Sequence, residues 1–248
     1  MLEAQPGEEV QLKAIAAQLP DVDYRIVLLG AENRADVAFH HVNAAINSSG
    51  SSLYDEQTSY PRDTISLPMR TLDDVLAEMP GREFDLLKID VQGAEIDVLR
   101  GAGRTLAGVE AIVIELSLLE YNKGAPPIGE TMRWLGEQGF ALFDVFPLSR
   151  IPAGALLQGT GFSCAADPAR GPRRRSSEPP AKGFRKIWAS LFASGQASDY
   201  ANLKPVVPPT VIHLIRHMPR WAQVYRAPTV DSPLTCRVTT RQRFCPPP

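Results

Sequence analysis

Two short apolar runs, joined by a segment with helical spacing, constrain the fold of this chain more than any other feature. The first run covers residues 84–91 and is too short for a helix, whereas Ile96, Leu99 and Leu106 then recur at the spacing of one helix face. The second run covers residues 111–116. Near-continuous apolar strands that alternate with helices are typical of a parallel sheet, because its strands are buried on both faces. The pattern therefore predicts an α/β fold with a mainly parallel sheet and helices on both faces.

The same alternation extends over the rest of residues 1–150. An amphipathic pattern over residues 7–19 predicts a first helix, and Thr71 predicts the start of another because its side chain can accept from the amide three residues on. Helices are also expected at residues 93–106 and 128–138, and strands at residues 24–29, 36–42, 64–69 and 140–146.

Polar side chains crowd the junction between the strand at residues 84–91 and the helix after it. Asp90, Gln92 and Glu95 stand around this turn, and Glu115 lies near the end of the next strand. Ligands bind at the carboxyl ends of the strands in open α/β sheets, so these four residues are a candidate site. They also fit a structural alternative, in which Asp90 or Gln92 caps the helix and Glu95 favours its positive end. The residues alone leave both interpretations open.

The charge of the chain divides sharply between its two parts. Residues 1–150 carry 12 Lys and Arg against 24 Asp and Glu, whereas residues 151–248 carry 14 against 4. Of the 22 prolines, 14 lie in the second part. A segment of this composition buries too little apolar surface to offset its ordering entropy. We therefore expect a folded domain over residues 1–157 and a Pro- and Arg-rich, largely disordered tail over residues 158–248.

Short helices are the regular structure expected in the tail, at residues 187–192 and 211–225. The abrupt change in composition also fits a shifted reading frame or a fusion after about Gln158. Arg173–Arg175 form a single short basic cluster, which gives little support for nucleic-acid binding.

Several classes of site and compartment find no support in the composition. The cysteines Cys164, Cys236 and Cys245 include no C-x-x-C pair, which argues against a disulfide framework and a zinc site, so no metal is expected. No apolar run approaches the roughly 18–20 residues of a membrane span, and the first residues lack the pattern of a signal peptide. A cytoplasmic location is therefore expected. The sequence does not indicate the oligomeric state.

The junction around Asp90 carries a family resemblance. Residues 88–95 (KIDVQGAE), followed by residues 98–102 (VLRGA), closely resemble the signature of the FkbM family of S-adenosylmethionine-dependent methyltransferases. Further stretches resemble that family in the same order, over roughly residues 1–157: Leu29-Gly30, SSGSSL at 48–53, RTLDD at 70–74, Ile114-Glu115, YNKG at 121–124, Trp134-Leu135 and Gly139-Phe140.

The resemblance implies both a fold and a reaction. The fold is that of a class I methyltransferase, with a Rossmann-like sheet. The reaction is O-methylation of a hydroxyl on a secondary metabolite, a sugar or a glycan, with S-adenosylmethionine as the cofactor. The expected partner is thus a small-molecule or glycan acceptor.

The resemblance also implies roles for individual residues. Asp90 is expected to face both the methyl group and the acceptor, while Gln92, Glu95 and Glu115 shape the same pocket. Glu3 matches an acid that accepts from the ribose hydroxyls of the cofactor. Leu29 and Gly30 end a strand on the cofactor side, so the expected cofactor-binding residues are Glu3, Leu29, Gly30 and Asp90.

The chain departs from the family pattern at both ends. The first strand and its glycine-rich turn are missing, and residues 2–6 (LEAQP) resemble the end of the following strand, with Ala4 where proline is usual. A sheet without that strand is expected to expose a central edge. At residues 154–158 the family continues into a further strand, whereas here the Pro- and Arg-rich segment is expected to begin.

Three functions follow from these observations. The first is an S-adenosylmethionine-dependent O-methyltransferase. The second is a truncated and catalytically inactive relative. The third is a basic-tailed binding protein that uses the α/β domain as a scaffold.

Overall fold

The computed structural model describes residues 1–19, 22–42, 50–57, 61–79, 81–150, 156–165 and 212–215. Strands and helices alternate over residues 62–150, so the chain has an α/β fold. The strands are β1 (Leu2–Glu3), β2 (Arg25–Ile26), β3 (Leu28–Leu29), β4 (Arg34–Val42), β5 (Arg62–Arg70), β6 (Leu86–Ile89), β7 (Ala111–Ser117), β8 (Phe140–Arg150), β9 (Leu156–Ala165) and β10 (His213–Ile215). The helices are α1 (Glu9–Gln18), α2 (Leu72–Ala77), α3 (Glu95–Arg100), α4 (Gly103–Gly108) and α5 (Ile128–Glu137), and a 3-10 turn at Pro6–Glu8 precedes α1.

The expected elements over residues 1–150 are confirmed, with two interruptions. The Thr71 hydroxyl accepts from the amide of Asp74 at 3.2 Å and caps α2 as the sequence predicts. The strand expected at residues 24–29 is divided into β2 and β3. The helix expected at residues 93–106 is divided into α3 and α4 at Gly101, where a Cβ atom would lie 2.2 Å from the carbonyl oxygen of Gly30.

The expectation of a mainly parallel sheet is wrong for the described residues. The strands form sheets in the order β10-β6-β7-β9-β8, β3-β5-β4 and β1-β2. The pairs β6–β7, β3–β5 and β1–β2 are parallel, whereas β10–β6, β7–β9, β8–β9 and β4–β5 are antiparallel. A parallel connection needs a long crossover, and the five residues between β8 and β9 are too few for one. The sheets are therefore mixed.

The further strand that the tail was expected to lack is present. Residues Leu156–Ala165 form β9, which pairs with β7 on one side and β8 on the other. The expected boundary between residues 157 and 158 thus falls inside a central strand. The sequence of β9 includes Gly159 and Gly161, which disfavour strands, so its conformation comes from pairing on both sides and not from local propensity.

A second tail segment also joins the sheet. Residues 212–215 are extended, so the helix expected at residues 211–225 is wrong at its described residues. Ile212 and Leu2 exchange two backbone hydrogen bonds of 2.9 Å, and β10 pairs antiparallel with β6. The expectation of an exposed central edge is therefore wrong as well, because this segment lies between β1 and β6. Arg173–Arg175 and the helix expected at residues 187–192 lie outside the described residues.

One apolar core connects the sheet with four helices. Alternate residues of β6 and β7 belong to it, together with residues of α2 to α5 and Ile212, which is 2% exposed. Members from the strands are Leu87, Ile89, Ile112, Ile114 and Leu116. Within the described part of the chain, no helix is both long and apolar enough to span a membrane.

Candidate active site

The parallel pair of β6 and β7 brings two carboxylates to one edge of the sheet. Ile89 at the end of β6 is in register with Ile114 of β7. Asp90 and Glu115 are the residues that follow this pair, so they stand side by side on neighbouring strands. Both side chains are partly exposed, in contrast to the buried apolar residues before them. The strand edge therefore carries two neighbouring acidic groups, as the sequence predicts.

The side-chain amide of Gln92 joins these two carboxylates. Its Nε2 atom donates to Asp90 Oδ1 at 3.0 Å and to Glu115 Oε2 at 2.9 Å. Lys88 Nζ donates to the other oxygen of Asp90 at 3.1 Å. Because an amide nitrogen carries two protons, a single group can satisfy both acceptors. The structure thus brings together Asp90, Gln92 and Glu115, three of the four residues predicted for the catalytic cluster.

Glu95, the fourth residue, lies beneath the turn. Its Oε1 atom accepts from the amides of Val91 at 3.1 Å and Gly93 at 3.2 Å. The side chain is only 6% exposed, and burial raises the pKa of Glu95 to about 7, while these backbone donors oppose the rise. Burial disfavours the charged form of a carboxyl, whereas amide donors favour it. Glu95 therefore supports the backbone of the turn.

The structural alternative for these residues is correct only in part. The N-cap residue of α3 is Ala94, with no side-chain cap hydrogen bond, so neither Asp90 nor Gln92 caps the helix. Glu95 does lie in the first turn of α3, where a negative charge is favourable. Asp90 interacts instead with Lys88 and Gln92, and Gln92 also interacts with Glu115.

The turn itself has an unusual backbone. Gln92 has a φ of 53°, in the left-handed region that residues other than glycine rarely adopt, and Gly93 follows with a φ of 97°. A Cβ atom on Gly93 would lie 2.7 Å from the Cβ of Ala125, so glycine is needed for space as well as for conformation. This close approach brings the loop around Ala125 against the turn.

A cavity lies beside the turn, on the other side of Val91. The space enclosed there is about 30 Å³, and its lining includes Glu3, Leu29, Phe39, Ser52, Val91 and Ile212. Glu3 is 1% exposed, and its Oε1 accepts from the backbone amide of Gln5 at 2.8 Å and from the Gln5 side chain at 3.3 Å.

Two of the four predicted cofactor-binding residues line this cavity. Glu3 and Leu29 do so, whereas Gly30 and Asp90 are not among its lining residues. The amide of Gly30 donates to the carbonyl of Arg70 at 3.0 Å, and Asp90 precedes the lining residue Val91. No group of three His, Cys, Asp or Glu side chains in the described ranges is arranged to hold a metal ion.

Two residues that contact the turn received no role from the sequence. The Ser52 hydroxyl is 2.8 Å from the carbonyl oxygen of Gln92, and Asn122 Nδ2 also donates to this oxygen. Both belong to stretches that carried the family resemblance, the serine-rich stretch 48–53 and YNKG at 121–124. Each lies two residues from a glycine, which was the available signal, but the group that each contacts lies far away in the sequence.

Comparison with known proteins identifies the family. A protein named 2-O-methyltransferase NoeI, from Sinorhizobium fredii (strain NBRC 101917 / NGR234), is 35% identical over 96 residues, which are 39% of this chain and 38% of that protein. The chain thus spans less than half the length of this relative. No solved structure matches the chain. The family model described as the methyltransferase FkbM domain matches residues 2–142, more than half of the chain. The chain therefore belongs to the FkbM methyltransferase family.

Proposed function

We propose that this chain has a class I, Rossmann-like methyltransferase fold and methylates a hydroxyl group of a small-molecule or glycan acceptor, with S-adenosylmethionine as the methyl donor. The observation that carries the proposal is the Gln92 amide, which holds Asp90 and Glu115 together at the carboxyl ends of two parallel strands. Membership of the family and the name of the relative, a 2-O-methyltransferase, support methylation of an oxygen atom.

The arrangement of strands supports the proposed fold. The bridge between Leu2 and Ile212 connects the pair β1–β2 to the five-stranded sheet. The strands then follow one another in the order β2, β1, the segment Ile212–Ile215, β6, β7, β9 and β8. In such an open sheet the candidate site lies at the carboxyl ends of β1 and β6, where the chain also forms the cavity.

The chemistry of the cavity fits the cofactor. Glu3 supplies a buried carboxylate, the acceptor that a ribose diol requires, and acids at the end of this strand serve the same purpose in dinucleotide-binding folds. Leu29, Phe39 and Val91 supply apolar surface for a base and a thioether. Glu3 and Leu29 are thus the proposed cofactor-binding residues.

The residues of the chain then have to orient a hydroxyl group and accept its proton. The cofactor, when bound, supplies a sulfonium methyl group, so the protein needs no covalent chemistry of its own. The Asp90 carboxylate is the proposed general base, since it is held in place by Lys88 on one oxygen and Gln92 on the other. Glu115, fixed by the same amide, is a second acceptor that can orient the substrate. General-base catalysis contributes about 10²–10⁴-fold in rate.

Cofactor binding is tested by isothermal titration of the full chain with S-adenosylhomocysteine. We expect a dissociation constant in the micromolar range, and Glu3→Gln is expected to weaken binding about tenfold or more, which is the loss of roughly 1.4 kcal/mol. Glu83→Gln, at an exposed position, is the matched control and leaves binding unchanged. An absence of heat at millimolar ligand contradicts the proposal and favours the catalytically inactive relative.

Catalysis is tested by transfer of a labelled methyl group to a panel of hydroxylated acceptors that includes sugars. Asp90→Asn is expected to lower turnover about 100-fold while leaving the affinity for S-adenosylhomocysteine nearly unchanged. Asp36→Asn, at an exposed position of β4, serves as the control. Unchanged turnover in Asp90→Asn contradicts the role of Asp90 and leaves the family assignment intact.

A further inference from the structure

The side-chain amide of Gln92 is placed by a backbone conformation that Gln92 does not favour by itself. A left-handed conformation outside glycine persists only where the surrounding structure enforces it. At Gln92 the φ is 53°, and the side chain reaches both Asp90 and Glu115 from this conformation. The position of the amide therefore depends on the groups that hold the main chain of the turn.

The carbonyl group of Gln92 has two side-chain donors. Ser52 Oγ lies 2.8 Å from this oxygen and 3.2 Å from the carbonyl of Val91. Asn122 Nδ2 donates to the same oxygen of Gln92. Ser52 is 1% exposed and Asn122 is 2% exposed, so water does not compete freely for these hydrogen bonds.

The two donors come from loops that are themselves connected. The amide of Gln57 donates to the carbonyl of Tyr121, and the amide of Lys123 donates to the carbonyl of Asp55, both at 2.8 Å. In addition, the Ser52 hydroxyl accepts from the backbone amide of Tyr54 at 3.1 Å, which fixes the orientation of the hydroxyl. The loops therefore present their donors to the turn as one unit.

The other side of the turn is held by Glu95. Its carboxylate accepts from the amides of Val91 and Gly93, the residues on either side of Gln92. The carbonyl of Gln92 thus faces donors from two loops, while the neighbouring amides face an acceptor from α3. The peptide group between Gln92 and Gly93 is therefore held at both its carbonyl and its amide, which fixes its orientation. The orientation of this peptide group in turn sets the direction of the Gln92 side chain.

We infer that Ser52 and Asn122 are positioning residues, which hold Gln92 in its left-handed conformation and so place its amide between Asp90 and Glu115. This inference rests on the proposed function only in treating the two carboxylates as the reactive site. The hydrogen bonds of Ser52 and Asn122 to this turn go to its main-chain carbonyl groups, so both residues act through the Gln92 backbone.

The test measures the side-chain amide of Gln92 directly, in the full chain labelled with [¹⁵N]glutamine. The Gln92→Asn variant identifies the resonance by its disappearance. In Ser52→Ala and Asn122→Ala the Gln92 side-chain protons are expected to exchange with solvent about tenfold faster, the effect of losing one hydrogen bond in the network. Ser52→Thr retains the hydroxyl and is expected to restore slow exchange.

Ser51→Ala is the matched control. Ser51 lies in the same loop and is 3% exposed, but its hydroxyl donates to the Gln5 side chain at 2.9 Å and accepts from the Val42 amide at 3.0 Å. Unchanged exchange in Ser52→Ala, or an equal increase in Ser51→Ala, overturns the inference, because loss of any buried hydroxyl would then have the same effect. Ser52→Ala removes one oxygen atom and decides the question alone if Asn122→Ala does not fold.

The measurement requires neither cofactor nor acceptor, so its result is independent of the proposed function. Absence of S-adenosylhomocysteine binding together with faster exchange contradicts the enzyme activity and supports the positioning role. Where a methyl acceptor is identified, Asn122→Ala, at a residue that does not line the cavity, is expected to lower kcat about tenfold without changing the affinity for S-adenosylhomocysteine. A loss of affinity with unchanged kcat contradicts the role.

Discussion

Glu95→Gln tests the charge state of the buried acid beneath the turn. Burial raises the pKa of Glu95 from an ordinary value of 4.5 to about 7. Between these two pH values the folded chain retains a proton that the unfolded chain has released. The free energy of unfolding therefore falls as the pH rises through this interval. The stabilisation that comes from the retained proton of Glu95 is fully present only below pH 4.5. The Gln variant has no such proton to lose.

The size of the effect follows from the same interval. A displacement of the pKa from 4.5 to about 7 corresponds to roughly 3 kcal/mol in the free energy of unfolding. The stability of Glu95→Gln relative to the natural chain should accordingly increase by roughly 3 kcal/mol between about pH 4.5 and about pH 8. All other titrating groups are common to both proteins, so they cancel in this difference.

Urea denaturation followed by far-ultraviolet circular dichroism, repeated across this pH range, provides the measurement. Glu137→Gln, at an exposed position of α5, is the matched control for replacing a helical glutamate. A difference for Glu95→Gln that does not vary with pH refutes the reasoning, because it means that Glu95 titrates alike in the folded and unfolded chains.

Four further substitutions test the fold by the same denaturation assay. Gly101→Ala should destabilise the protein by about 1–3 kcal/mol, since its Cβ would lie 2.2 Å from the Gly30 carbonyl oxygen, and no loss contradicts this contact. Gly136→Ala in α5 should instead stabilise it by about 0.5–1 kcal/mol, because the new Cβ meets nothing within 4 Å; a loss would mean that the site is packed. Thr71→Ala should remove about 1 kcal/mol with the cap of α2, and equal stability contradicts that cap. Ile212→Ala should cost about 2–5 kcal/mol, whereas a tail that does not pack into the core predicts no change.

The sequence predicts the candidate site better than the sheet that supports it. Asp90 and Glu115 could be placed together because each directly follows an apolar strand segment, and parallel neighbours end at the same edge. By contrast, β9 and β10 depend on partners far along the chain: Ile212 pairs with Leu2. Local propensity carries no information about such pairing. The composition of the basic, proline-rich tail therefore does not indicate that residues 212–215 join the sheet.

The direction of individual side chains could not be predicted either. Spacing places Gln92 and Glu95 near the same junction, but the left-handed φ of Gln92 sends its side chain toward Glu115 while Glu95 turns back to the main chain. A helical or extended φ at this position would have given a different arrangement from the same residues. The conformation is set by contacts with two distant loops, which no local pattern contains.

Three of the stretches that carry the family resemblance meet at this one turn. The signature at residues 88–95 supplies Gln92 and the Glu95 carboxylate, which accepts from the amides on either side of Gln92. The stretches at residues 48–53 and 121–124 supply the donors Ser52 and Asn122. Because the left-handed residue is unfavourable by itself, the signature alone does not determine where the amide points. The placement of the amide thus belongs to the three stretches together. A chain that has the signature but neither donor should therefore keep its two carboxylates at the strand ends. The glutamine amide of such a chain should no longer lie between them.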